Sequence, residues 1–211
     1  MDLENINDYE NEGIEIGDSN IEQSDNASLE NRPDSIERTH IEAPDDKTQV
    51  ELSAEAIEQI EGTKFEEWKE LSVDERVGVL QQIEKEVSKI ACRPSCKVNA
   101  RSLGEGTYGY FDPETGEITV NTDYLTSNYE DYAESIDTII HEGRHAYQNY
   151  NIYEEQVHPS KGDIHNWYLN ELEYGYQDVK TYGFKLYELQ PVEADARKFA
   201  EDLKDKILSV A

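Results

Sequence analysis

No apolar run in this chain approaches the ~20 residues that a membrane-spanning helix needs, and its N-terminus has no basic stretch followed by an apolar core. The sequence therefore predicts neither a transmembrane anchor nor a secretory leader, and it leaves the compartment open between the cytoplasm and export by a signal-independent route. Cysteine is scarce. The two present, Cys92 and Cys96 in Cys-Arg-Pro-Ser-Cys, have no second pair to complete a zinc ribbon or a disulfide framework, so two free thiols are expected. Basic residues are also few, 19 against 48 acidic ones, for a net charge of −29. So acidic a protein repels phosphate, which argues against nucleic acid and against an anionic membrane surface as partners.

The acid is unevenly spread. The first 50 residues hold 15 acidic and 3 basic side chains and a single aromatic, Tyr9. Such a stretch cannot bury enough apolar surface to offset its ordering entropy. Residues 1–48 are expected to be a disordered acidic segment, with a docking or delivery role as the alternative to a plain solvated tail. Residues 49–211 are expected to fold as one domain.

Within that domain the patterns alternate between helix and strand. Order is expected to begin near Val50, with Ser53 capping a short helix to Ile60. Lys64–Leu71 reads as helical. Ser72 and Glu75 have capping-box spacing before a helix whose stripe is Val73, Val77, Leu80, Ile83, Val87 and Ile90, ended before Pro94. Cys96–Ala100 reads as a strand. Thr107–Phe111 and Glu117–Asn121 flank Asp112-Pro113-Glu114-Thr115-Gly116, a turn sequence, and predict a hairpin. A long helix follows, capped by Ser127 or Asn128, with Ile136, Ile140 and Tyr147 on its stripe. Asn151–Gly162 reads as a loop and Ile164–Tyr182 as a helix with Trp167, Tyr168, Leu172, Tyr176 and Val179 inward. Pro191 suits the first position of a last helix.

The long helix carries His141-Glu142-Gly143-Arg144-His145, an H-E-x-x-H pattern. Imidazoles four residues apart share a helix face and can reach one metal ion, while Glu142 is placed to take a proton from a metal-bound water. Zn²⁺ suits such ligands, and a catalytic site needs a third protein ligand and an open position. Glu193, in the first turn of the last helix, is the chosen candidate. An acidic residue favoured there by the helix dipole is an equal reading on position alone, and Glu171, Glu173, His158 and His165 are fallback ligands. Asp137 and Asp195 are candidate partners for a ligand imidazole, and His165, Tyr176, Tyr182 and Tyr187 are candidate donors to a developing oxyanion.

Glu193-Ala-Asp-Ala196-Arg-Lys-Phe199-Ala200 resembles the E-x-x-A-x-x-F-A segment that follows H-E-x-x-H in ImmA/IrrE-type metallopeptidases. The order of hairpin, H-E-x-x-H helix and glutamate-bearing helix is similar to that of zincin metallopeptidases at large, including modules of bacterial toxins. The resemblance implies His141, His145 and Glu193 as zinc ligands and Glu142 as general base. It implies an α+β fold, mostly helical, with a small antiparallel sheet or hairpin before the H-E-x-x-H helix. A hairpin so placed offers a sheet edge to an extended peptide. The expected function is zinc-dependent hydrolysis of a peptide bond in a protein substrate, by a toxin-like or regulatory protease. The alternative is a non-catalytic metal-binding or interaction module with an acidic docking segment.

Overall fold

Asp45 starts the first helix. Its carboxylate accepts the Thr48 N–H at 3.0 Å, and α1 runs over Asp46–Ile57, burying Gln49, Val50, Ser53 and Ile57. The computed structural model describes residues 41–173 and 175–209, all within one compact unit. Expectations for residues 1–40 lie outside the described residues.

The boundary expected at residue 48 is corrected by what precedes it. Ala43 is buried and donates its N–H to Val157, and Asp46 reaches the buried guanidinium of Arg144. Ser53, expected as a cap, is instead a buried residue inside α1. The face that α1 buries includes the polar Gln49 and Ser53, so apolar periodicity carried little signal there. Removing residues 1–48 is therefore expected to lower the melting temperature. The lost cap alone is worth ~1 kcal/mol, and a domain of this size shifts roughly 2–4 °C per kcal/mol. An unchanged melting temperature for the truncated chain would contradict the packing of residues 43–48.

After the short helix α2 (Phe65–Trp68), α3 (Val73–Ile90) begins on the expected capping box. Ser72 Oγ accepts the Glu75 N–H at 3.4 Å, and Glu75 accepts the Ser72 N–H at 2.7 Å. Leu80, Ile83 and Val87 are buried, whereas Val73 is exposed. Three strands follow, β1 (Lys97–Arg101), β2 (Gly109–Asp112) and β3 (Glu117–Asn121). The turn between β2 and β3 forms as its sequence suggests. Asp112 accepts the Glu114 N–H at 2.9 Å, and Gly116 closes the turn at a φ of +67°, which favours glycine.

The sheet is mixed rather than antiparallel throughout. Its order is β1-β3-β2, with β2 antiparallel to β3 and β1 parallel to it. The buried Asn121 side chain allows that crossing, donating to Gly104 at 2.9 Å and Thr107 at 2.6 Å in the loop that joins β1 to β2. This leaves β2 as an edge strand lying against the next helix, α4 (Tyr129–Tyr153).

Asn128 caps α4 by accepting the Glu130 N–H at 2.7 Å. The helix runs three residues into the expected loop and packs on α3, the sheet and the last helix, α8 (Pro191–Ser209). Tyr132, Ile136, Ile139, Ile140 and Tyr147 of α4 and Val192, Ala196, Ala200 and Leu203 of α8 are almost wholly buried. Pro191 takes the first position of α8, where its missing N–H costs nothing. The result is an α+β fold, mostly helical, with a small three-stranded sheet.

The helix expected over Ile164–Tyr182 is broken. α5 covers Lys161–Tyr168, a π-helical turn covers Leu169–Glu173, and two short helices, α6 (Val179–Tyr182) and α7 (Phe184–Leu189), come later. The buried Asn170 sits inside that π-helical turn and ties it to the start of α8. It accepts the Val192 N–H at 3.2 Å and donates to Gln190 at 3.1 Å. Gln190 and Gln177 then exchange hydrogen bonds at 3.0 and 3.1 Å, closing the base of the excursion that holds α6 and α7. Trp167 is buried as expected, but Tyr168, Leu172, Tyr176 and Val179 are each 44–54% exposed.

Candidate metal centre

α4 presents His141 and His145 on successive turns, with their Nε2 atoms 3.0 Å apart. Glu193 comes from the first turn of α8 and is buried. Its Oε1 lies 3.4 Å from His145 Nε2, and its Oε2 lies 3.4 Å from His141 Nε2. One donor atom from each residue falls within 4.8 Å of the others, so the three could hold a metal ion.

The electrostatics of the three residues fit a cation. Glu193 Oε2 is buried and makes no hydrogen bond, while Oε1 accepts from the Tyr176 hydroxyl at 2.6 Å. Burial raises the Glu193 pKa, but the facing imidazoles and Tyr176 outweigh it and hold the carboxylate well below its usual range. For His145, burial disfavours the charged ring, yet the Glu193 hydrogen bond and the charge of Glu142 push it up to about 9. Two neutral imidazoles and a carboxylate are a donor set that suits Zn²⁺ with a fourth position open.

The tautomer of His145 is fixed from behind. Gln148 Nε2 donates to Val192 at 2.9 Å and to Asp195 at 2.7 Å, so its oxygen faces His145 Nδ1 at 2.9 Å. The Nδ1 proton is thereby engaged and the Nε2 lone pair turned toward the site. Asp195 thus acts on the ring through Gln148. Asp137 instead pairs with Lys204 at 2.7 Å. Sequence reasoning missed Gln148, although its place three residues after His145, on the same face, was a usable signal.

Gly143 and Arg144, between Glu142 and His145, serve packing. A Cβ at Gly143 would stand 3.1 Å from Glu84 Oε2 and 3.2 Å from Arg93 Nη2, a buried ion pair that packs on α4 at that point. Arg93 Nη2 also donates to the Gly143 carbonyl at 3.0 Å. Arg144 turns the other way and is 2% exposed. It binds Asp195 at 2.8 and 2.9 Å and Asp46 at 2.9 Å, and its guanidinium lies over the rings of Tyr147 and Phe199 at 4.7 and 4.6 Å.

Glu142 points toward the edge of the sheet and accepts the Phe111 N–H of β2 at 2.8 Å. It shares a cavity of about 450 Å³ with His145 and Glu193. Tyr176 and Tyr187 line that cavity, while Tyr182 and His165 do not. Burial and the Glu193 carboxylate both raise the two phenols above their usual pKa, so they stay protonated donors. The fallback ligands lie outside the triad. His158 is a core histidine between Tyr147 at 3.1 Å and Asp163 at 3.4 Å, His165 and Glu173 are exposed, and Glu171 lines the cavity without joining the group.

No known family, curated protein or solved structure matches the chain.

Proposed function

We propose that the protein is a zinc-dependent peptidase of the zincin type, cleaving a protein or peptide substrate. The convergence of His141, His145 and the Glu193 carboxylate, whose buried Oε2 has no hydrogen-bond partner, with Glu142 sharing a cavity with His145 and Glu193, carries this reading. The three residues would hold Zn²⁺, which when bound polarises a carbonyl and lowers the pKa of water toward ~7.

The chain's own groups supply the rest. Glu142 takes a proton from the attacking water as its oxygen bonds to the scissile carbonyl carbon, and delivers that proton to the amine nitrogen as the C–N bond breaks. Of the expected donors, Tyr187 lines the cavity and is the candidate to donate to the oxygen on which charge develops, while Tyr176 spends its hydroxyl proton on Glu193 Oε1. The edge strand β2 borders the same cavity and, apart from the Phe111 N–H that Glu142 accepts, offers backbone pairing to an extended substrate.

The experiment is a search for new protein N-termini in a proteome treated with the zinc-loaded protein, the chelated protein and the chelated protein after zinc is returned. Cleavage that disappears on chelation and returns with zinc is expected. Zinc-loaded protein that cleaves nothing would favour the alternative, a metal-binding module without catalysis.

A further inference from the structure

The cavity beside the triad is negative and aromatic. Its charged side chains other than His145 are Glu142, Glu171 and Glu193, and no lysine or arginine among the described residues lines it. Arg101 touches the Tyr110 ring but does not line the cavity. Two of the carboxylates have defined partners. Glu193 faces both imidazoles and the Tyr176 hydroxyl, and Glu142 accepts from Phe111. A divalent cation would balance their two charges.

Glu171 is left over. It is exposed at the cavity wall and makes no hydrogen bond or ion pair among the described residues, with His145 attracting its charge and Glu193 repelling it. It stands on the π-helical turn that the buried Asn170 fastens to α8, so its position is fixed from behind. Tyr110, Tyr153, Tyr176 and Tyr187 line the cavity with it. A carboxylate among aromatic faces suits an ammonium or guanidinium group, through ion pairing and cation–π attraction together. An apolar group there would desolvate the carboxylate without a partner, and an acidic group would be repelled.

We propose that Glu171 selects substrates with a lysine or arginine side chain beside the bond to be cleaved. This rests on the peptidase reading, since it names the substrate class of the same site.

The test uses binding, so that it does not depend on turnover. Two short peptidyl hydroxamates, alike except for lysine against norleucine at the residue next to the hydroxamate, are titrated calorimetrically into the zinc-loaded full chain and its Glu171→Gln variant. The lysine ligand should bind the wild type at least about tenfold more tightly, and the two ligands should bind Glu171→Gln alike. Zinc content should be the same in both proteins. Equal affinities in the wild type, a preference that survives Glu171→Gln, or no binding of either ligand would overturn the proposal. Loss of zinc from Glu171→Gln would overturn it too, by making Glu171 a ligand. A lysine preference in a protein that cleaves nothing would uphold the selectivity while removing the peptidase reading.

Discussion

Glu142→Gln should fold, hold zinc and bind substrate while hydrolysing it at least ~10²-fold more slowly than the wild type. The glutamine keeps the shape of the side chain, and its amide oxygen can still accept the Phe111 N–H that fixes Glu142 at 2.8 Å. What it loses is the ability to accept a proton, and general acid–base catalysis contributes ~10²–10⁴-fold. Because Glu142 is not one of the three ligands and makes no hydrogen bond or ion pair with them, zinc should be retained. Single-turnover rates on a substrate found in the proteome search would give the ratio directly. Equal rates for the two proteins would remove Glu142 as the base, whatever the metal does.

The second large effect lies beneath the metal helix. Glu84 and Arg93 form a two-pronged pair at 2.8 Å, with side chains 0% and 1% exposed. Arg93→Met should destabilise the fold by ~3–5 kcal/mol, because it leaves the Glu84 carboxylate buried with only the Cys96 N–H at 2.7 Å. The double replacement Glu84→Leu/Arg93→Met should recover much of that loss, since apolar residues of similar volume often match a buried pair. Urea unfolding of the three proteins measures both quantities. If Arg93→Met is as stable as the wild type, the pair is not the support of the Gly143 turn that its geometry suggests.

The sequence made the regular parts of this fold legible and its polar interior largely illegible. The capping box at Ser72, the Asp112–Gly116 turn and the stripes of α4 and α8 are local patterns, and each could be read within a few residues. Glu193 could be placed on the last helix, but its approach to the two histidines depends on how α8 packs across α4, which no local pattern contains. The same limit left Asp195 level with Asp137 as a candidate partner for a ligand imidazole, because its link to His145 runs through Gln148 on another helix. Asp46, expected in the disordered segment, and Arg144 lie 98 residues apart in sequence, and only the fold joins them. The expected long helix after Ile164 gives way to a π-helical turn that Asn170 ties to α8 and that stops before Gly175, whose φ is +74°, and the apolar spacing did not show that tertiary tie. Parallel pairing of β1 with β3 went unseen because a hairpin pattern reports on neighbours in sequence alone.

The measurement closest to the central claim is metal content after dialysis, taken on the wild type and on His141→Ala, His145→Ala, Glu193→Ala and Glu173→Ala. About one zinc per chain is expected in the wild type and in Glu173→Ala, with four-coordinate geometry by X-ray absorption, and loss of tight binding in the other three. Each variant must first match the wild-type circular dichroism, so that a lost metal is not a lost fold. Full zinc retention by His141→Ala and His145→Ala, or loss from Glu173→Ala with Glu193→Ala unaffected, would contradict the central claim.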